Sequence, residues 1–133
     1  MKIDGSCHCG KVTYTAEVDP GKVVICNCTD CQVLSGSPWR ASVGAPAATF
    51  RLTGAPPRTY LKTAESGRHR VQAFCPDCGT PIYSAAENDT PYYGLRIGAI
   101  RQRAQLTPRN QIWCDSAMSW AQDISGLPSR PKE

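Results

Sequence analysis

Residues 26–31 read CNCTDC and hold three cysteines, the densest of the three cysteine groups in this chain. A C-x-C pair precedes them at Cys7 and Cys9, and a C-x-x-C pair follows at Cys75 and Cys78. Loops of one or two residues rarely close a disulfide, because its Cα separation and torsion angles are tightly constrained. The same spacing lets two thiolates bind one small ion, so the three groups predict zinc sites.

Seven clustered cysteines are enough for one closed four-thiolate site and one three-thiolate site with a vacant position. The two outer pairs lie far apart in the sequence, and neither pair completes a site alone. We therefore expect one zinc ion on an outer cluster of Cys7, Cys9, Cys75 and Cys78. We expect a second zinc ion on a central triplet of Cys26, Cys28 and Cys31. The alternative is a zinc ribbon formed by the last two cysteines of the triplet and the C-x-x-C pair, which would leave three cysteines without a site.

The two predicted sites differ in their chemistry. A closed site that joins two distant segments contributes folding energy, whereas a vacant position on zinc is where catalysis takes place. The triplet is therefore the candidate catalytic site. Three thiolates and one Zn²⁺ carry a net charge of about −1, which makes the ion a mild Lewis acid. Such an ion could hold an incoming thiol as a thiolate or bind an aldehyde oxygen, and both interpretations stay open.

Short strands separated by turns are predicted for most of the remaining sequence. The candidate strands are residues 11–18, 23–25, 39–43, 48–52, 58–61, 70–74, 81–84 and 92–97. Eleven glycines and eleven prolines in 133 residues disfavour long helices. The best helical candidate is residues 29–34, capped by Thr29 or Asp30. We expect an all-β fold of short antiparallel strands, in one zinc-binding domain over residues 1–133 whose tail, 125–133, is extended.

Charge and hydropathy limit the partners. The formal net charge of +4 falls to about +1 once seven thiolates and two Zn²⁺ are counted, and the arginines are scattered. No nucleic-acid partner is therefore predicted. The mean hydropathy is −0.37, and no apolar run approaches the roughly 20 residues of a membrane helix. Without a hydrophobic signal region at its start, and with clustered reduced cysteines, the chain is expected in the cytoplasm. Its oligomeric state is not predicted.

Four motifs together resemble a known family. They are residues 7–12 (CHCGKV), 26–31 (CNCTDC), 74–83 (FCPDCGTPIY) and 111–120 (QIWCDSAMSW). The chain resembles the glutathione-dependent formaldehyde-activating enzyme family, which shares its domain with centromere protein V. The resemblance implies a zinc-stapled β-tent fold. It also implies a structural zinc ion on the outer cluster and a catalytic zinc ion on the triplet, the division that the spacing favours.

The activity that the resemblance implies is that of a carbon–sulfur lyase. In the family, glutathione adds to formaldehyde and gives S-hydroxymethylglutathione. For this chain we expect glutathione or a similar thiol, and formaldehyde or another small aldehyde. The alternative is a non-catalytic, zinc-stabilised binding module for a peptide, a protein or glutathione, which a fourth protein ligand such as Cys114 would favour. A redox switch at Cys28 and Cys31 is disfavoured, because Cys26 crowds the pair and no thioredoxin-like βαβ pattern surrounds it.

Residues just after the triplet are the candidate substrate-binding residues. Ser35, Gly36 and Ser37 offer hydroxyl and backbone N–H groups next to the predicted open zinc site, although an ordinary turn has the same composition.

The other singled-out side chains are expected to be structural. Cys114 is predicted to be a small buried residue, since a free cysteine behaves as a hydrophobe. Trp113 and Trp120 are predicted to pack in the core. His8 and His69 are predicted to be exposed and to take no part in metal binding.

Overall fold

The structure is a computed structural model that describes all residues, 1–133, and its regular elements are mostly strands. The strands are β1 (Lys2–Ser6), β2 (Thr13–Glu17), β3 (Val23–Cys26), β4 (Arg40–Pro46), β5 (Arg51–Leu52), β6 (Arg58–Thr63), β7 (His69–Phe74), β8 (Pro81–Ala86), β9 (Tyr92–Arg96) and β10 (Asn110–Ile112). One α-helix, α1 (Thr29–Ser35), lies between β3 and β4. Short 3-10 turns occupy Pro20–Lys22, Ile97–Ala99, Arg103–Gln105, Cys114–Ser116 and Ser119–Ala121. The all-β fold predicted from the sequence is confirmed.

The strands form two open sheets. The smaller sheet has the order β1-β2-β5, and the larger sheet has the order β10-β3-β4-β9-β8-β7-β6. Neighbouring strands are antiparallel, as predicted, with one exception: β10 pairs with β3 in parallel register.

Three element predictions need correction. β1 and β10 were not predicted, and the strand expected at residues 48–52 is confined to Arg51–Leu52. The chain turns before β5 because the Thr49 N–H and hydroxyl both donate to the Pro46 carbonyl, at 2.9 and 3.0 Å. Those two bonds hold a turn in place of the first part of the strand predicted for residues 48–52.

The two faces of the larger sheet have different characters. Val23, Val43 and Leu95 align across β3, β4 and β9 and are fully buried. They belong to the same apolar cluster as Ile3 and Tyr14 of the smaller sheet. The core therefore lies between the two sheets, since successive side chains of a strand point to opposite faces.

The opposite face of the larger sheet is polar. Cys26 of β3 lies directly across from Arg40 of β4, and Ser42 of β4 lies across from Arg96 of β9. These residues alternate with the valines and leucine of the core, so they share the second face. We call it the arginine face, because Arg70 of β7 also lies on it. The strand register from β7 through β8 to β9 places Arg70 on the same side of the sheet as Arg96.

Helix α1 begins and ends at identifiable caps. Its N-cap is Cys28, whose Sγ accepts a hydrogen bond from the Cys31 N–H at 3.3 Å, so the prediction of Thr29 or Asp30 as the cap was wrong. A thiolate acceptor replaces the usual hydroxyl or carboxylate there. The helix ends at Gly36, whose φ of 64° suits glycine and whose N–H donates to the Gln32 carbonyl.

The remaining observations concern the chain as a whole. Residues 125–133 form no helix or strand and are exposed. The chain contains no helix with both the length and the apolar character needed to cross a membrane.

Candidate metal centres

The four outer cysteines converge from two distant turns. Their Sγ atoms all lie within 4.8 Å of one another, as the spacing of the cysteines predicts. Cys7 and Cys9 lie in the turn between β1 and β2, and Cys75 and Cys78 lie in the turn between β7 and β8. The outer cluster therefore joins the smaller sheet to the larger one.

The sulfur positions in the outer cluster fit tetrahedral zinc. A Zn–S bond of about 2.3 Å separates two ligand sulfurs by roughly 3.8 Å in a tetrahedron. The Sγ atoms of Cys7 and Cys9 are 3.5 Å apart, and those of Cys9 and Cys75 are 3.7 Å apart. Four sulfurs at this separation leave no open position on an ion, which suits a structural site.

Hydrogen-bond donors favour the thiolate form at Cys7 and Cys78 of the outer cluster. The Val12 N–H donates to Cys7 Sγ at 3.2 Å. The Thr80 hydroxyl lies 3.2 Å from Cys78 Sγ, and the hydroxyl and backbone of Thr80 lower the pKa of the Cys78 thiol to about 5. A thiolate is the form that binds a metal ion. His8, between two ligands, is exposed, and its backbone N–H donates to the Thr80 hydroxyl.

The triplet forms a second group of sulfurs, also within 4.8 Å of one another. Cys26 ends β3, Cys28 caps α1, and Cys31 lies in the first turn of α1. No further His, Cys, Asp or Glu side chain belongs to this group. Three sulfur donors fit a zinc ion that keeps one position open to an outside molecule. The zinc-ribbon alternative, which mixes cysteines of the two groups, was wrong.

The thiols of the triplet differ in acidity. Burial acts to raise the pKa of Cys28, but it lies below its ordinary value because the Cys31 N–H, the neighbouring thiols and Lys62 stabilise the thiolate. Burial raises the pKa of Cys31 to about 12, against the opposing charge of Arg40. In the metal-free protein, Cys28 therefore forms a thiolate more readily than Cys31.

An open groove of about 770 Å³ runs beside Cys28. Its walls come from the first turn of α1, the β6–β7 hairpin and the turn after β10. Its charged lining residues are three basic and two acidic ones: Lys62, Arg68, Arg70, Asp30 and Glu65. Trp113 also lines it. A small molecule in this groove can reach Cys28.

Comparison with known proteins identifies the family. The family model described as glutathione-dependent formaldehyde-activating enzyme matches residues 2–116. The chain belongs to this family. A Schizosaccharomyces pombe protein named as an uncharacterized lyase is 23% identical over 117 residues, which are 86% of this chain and 80% of that relative. Family membership and this relative support an enzyme of the lyase type.

One solved structure is similar in fold to this member of the glutathione-dependent formaldehyde-activating family. It is the crystal structure of a Rhodobacter sphaeroides protein, with a TM-score of 0.63 and 18% sequence identity. The match covers 81% of this chain and 98% of that chain. At this identity the likeness concerns the fold alone.

In this family member, a polar network that the sequence analysis missed holds the triplet in place. Asn27 lies between two cysteines and is 1% exposed. Its Nδ2 donates to Gln111 Oε1 at 3.2 Å and to the Ile112 carbonyl at 3.1 Å. Gln32 Nε2 donates to the Asn27 carbonyl at 2.8 Å and to the Ser116 carbonyl at 3.0 Å. The only signal in the sequence was that Asn27 lies between two predicted metal ligands.

Three predictions about the C-terminal segment were wrong. Cys114 is exposed and belongs to neither cysteine group, although it was expected to be buried. Trp113 and Trp120 are 52% and 62% exposed, although they were expected to pack in the core. The apolar core cluster contains no residue after Leu106, so these three side chains lie outside it.

The three candidate substrate-binding residues lie at the far end of α1 from Cys28. The Ser35 hydroxyl donates to the Gln32 and Trp39 carbonyls, at 3.4 and 3.3 Å. Gly36 and Ser37 line a separate surface depression rather than the groove. Their role in substrate binding stays a prediction.

Proposed function

We propose that this chain is a zinc-dependent carbon–sulfur lyase that joins glutathione or a similar thiol to formaldehyde or another small aldehyde. In the synthetic direction one S–C bond forms, the C=O double bond becomes a single bond, and the thiol proton ends on the aldehyde oxygen. The product is an S-hydroxymethyl adduct when the aldehyde is formaldehyde. The observation that carries the proposal is a group of three cysteine sulfurs, without a fourth side-chain ligand, beside an open groove.

Cys26, Cys28 and Cys31 would hold the zinc ion of this site. When bound, the ion supplies a Lewis acid with one position for an exogenous thiol or carbonyl oxygen. A free thiol with a pKa near 8.5 is only about 3% ionised at pH 7, so full ionisation accelerates attack by roughly 30-fold. A mild Lewis acid can supply this ionisation of a thiol, although it is poorly suited to making hydroxide from water.

The residues of the groove favour an anionic reactant. Lys62 lies 2.8 Å from Asp30 in an ion pair that joins β6 to the first turn of α1. Glu65 lines the same groove and forms no ion pair. Arg68 and Arg70 line it too and outnumber Glu65, and the structure pairs neither with an acidic side chain. Their positive potential attracts a thiolate or a carboxylate to the groove.

The decisive experiment compares Cys28→Ser with Cys114→Ser, an exposed cysteine outside both groups. Adduct formation is measured with the uncatalysed thiol–formaldehyde reaction subtracted, and the melting temperature is measured in parallel. We expect Cys28→Ser to lose at least about tenfold in activity with a much smaller loss of stability. We expect Cys114→Ser to change neither quantity.

Two results would contradict the proposal. Equal loss of activity and stability in Cys28→Ser would assign the triplet a structural role. Anomalous scattering from crystals of the zinc-loaded protein would show what fills each coordination sphere, and a permanent fourth protein ligand on the triplet would favour a non-catalytic binding module.

A further inference from the structure

Arg96 is a buried cation without an anionic partner. Its residue is 7% exposed, and it lies in the middle of the larger sheet, on β9. Its guanidinium donates to Ser42 Oγ at 2.7 Å and to Gln72 Oε1 at 3.0 Å, both neutral acceptors. The ion pairs of the structure all lie elsewhere. A buried charge is costly unless another charge compensates it.

A second arginine shares the same neutral acceptor. Arg40 Nη1 donates to Gln72 Oε1 at 3.2 Å, so one amide oxygen holds two guanidinium groups together. Gln72 is 8% exposed, so the acceptor that the two arginines share is itself buried. Burial, with the nearby charges of Arg40 and Arg70, lowers the pKa of Arg96 to about 9, and the group stays protonated at neutral pH.

A zinc ion on the triplet would compensate only part of this charge. Arg40 lies across from Cys26 in the sheet, and its charge acts to lower the pKa of Cys31. The charges of Cys26 and Cys31 act to raise the pKa of Arg96. Three thiolates with Zn²⁺ carry about −1, whereas the two guanidinium groups carry about +2. Arg70 lies on the same face and adds to the positive charge around Arg96. An excess of positive charge therefore remains, which favours an anionic ligand.

The space beside the two arginines is a cavity of about 300 Å³ on the arginine face. Leu34, Tyr60 and Phe74 contribute apolar walls, while Arg40 and Arg96 supply the cations. Leu34 lies one turn of α1 after Cys31, so the same helix contributes a residue to the cavity and a residue to the triplet. Apolar walls with a few convergent polar groups are typical of sites for small organic ligands.

We propose that Arg40 and Arg96 bind the carboxylate of a small organic molecule in this cavity, adjacent to the triplet. Guanidinium groups recognise a carboxylate through charge-assisted hydrogen bonds in a fixed geometry. The negative charge of a carboxylate offsets part of the excess, and the apolar walls favour an organic body over a fully hydrated inorganic anion. The link to catalysis rests on the proposed function: the carboxylate belongs either to the thiol or to the aldehyde.

Direct binding tests the cavity without reference to activity. Butyrate and its neutral isostere butyramide are titrated calorimetrically into the zinc-loaded full chain. We expect butyrate to bind at least about tenfold more tightly than butyramide, and we expect Arg96→Gln and Arg40→Gln each to remove most of that preference. Arg101→Gln is the matched control, because Arg101 is 79% exposed and pairs with Asp4 far from the cavity.

Three outcomes would overturn the inference. These are equal affinity for butyrate and butyramide, an unchanged preference in the folded arginine variants, and tighter binding of inorganic phosphate than of butyrate. Circular dichroism checks folding. Arg40 is only half-buried, so Arg40→Gln carries the test if Arg96→Gln does not fold.

Adduct assays identify which reactant carries the carboxylate. One arm compares 3-mercaptopropionate with 3-mercaptopropionamide, and the other compares glyoxylate with acetaldehyde. We expect a KM at least about tenfold lower for the charged member of one pair, and loss of that difference in Arg40→Gln. Butyrate binding without adduct formation in either arm would support the carboxylate site and contradict the proposed function.

Discussion

The position of the Tyr14 side chain is set by packing, and its hydroxyl makes no hydrogen bond there. Its hydroxyl is buried and has no partner. Gly5 lies across from it in the β1–β2 pair, and a Cβ atom at Gly5 would lie only 2.1 Å from Tyr14 Cζ. The ring therefore occupies the space above a glycine, where no polar group can reach the hydroxyl.

The orphan hydroxyl leads to a stability prediction. We expect Tyr14→Phe to raise the free energy of unfolding by about 1 kcal/mol, because it removes an unsatisfied buried polar group and keeps the ring. Urea denaturation of the zinc-loaded protein measures the change. Tyr60→Phe, at a 55% exposed position, is the control and should be neutral. A destabilised Tyr14→Phe variant would show that the hydroxyl has a partner in solution.

Asn27 is the residue whose loss should separate the two cysteine groups. Asn27→Ala removes two side-chain hydrogen bonds to β10 and leaves the Gln111 amide oxygen without its donor. We expect the free energy of unfolding to fall by about 2 kcal/mol and the triplet to bind its ion more weakly. Metal analysis after dialysis should show that the outer cluster keeps its ion. Loss of the outer ion instead, or retention of both ions at full affinity, would contradict this role.

Among the elements, β10 brings a strained residue to the groove. Trp113 follows β10 directly and has a φ of 57°, a left-handed conformation that costs a non-glycine residue roughly 1–2 kcal/mol. Strain of this kind concentrates at functional sites, and the half-exposed indole lines the groove beside Cys28.

Substitutions at Trp113 can measure the strain and the contact separately. Trp113→Ala and Trp113→Gly both remove the indole, so both should raise the KM of the thiol–aldehyde reaction. Only glycine relieves the backbone, so Trp113→Gly should be more stable than Trp113→Ala by about 1 kcal/mol. Thermal and urea unfolding measure the difference. Equal stability would mean that the left-handed turn is absent in solution, and an unchanged KM would remove Trp113 from the substrate groove.

The elements also show which features the sequence could predict. Most strands were predictable, because alternating β-branched and aromatic residues reflect local preference. β1 was not, since Asp4 and Gly5 are poor strand formers and only its pairing with β2 makes it a strand. Arg96 was not recognised as part of a site, because its place beside Arg40 depends on register across strands that are distant in the sequence.

At the scale of the molecule, the cysteine grouping was predictable because it follows from counting. Each short cysteine spacing is a matter of local geometry. Once the triplet supplies all three ligands of one site, each outer pair can complete a site only with the other outer pair. The exposed position of Cys114 was not predictable in this way. Its surroundings depend on where the segment after β10 lies relative to two sheets that the local sequence does not describe.

The two cysteine groups should respond differently when metal is removed from the whole protein. The outer cluster joins the smaller sheet to the larger one through four sulfurs, whereas the triplet holds its ion with three and leaves one position for a competing chelator. We expect a graded chelator titration to remove the ion of the triplet first, with the fold retained. Removal of the second ion should lower the free energy of unfolding by at least several kcal/mol and the melting temperature by roughly 10 °C or more.

Metal content, circular dichroism and the melting temperature, followed together, test this order of release. Cys28→Ser is the matched variant, because it should start with one ion and melt like the wild-type protein after the first step. Simultaneous loss of both ions, or unfolding at the first step, would contradict the division into a closed and an open site. The reason is physical: a chelator must find an unfilled position on the ion, and only three sulfur ligands leave one.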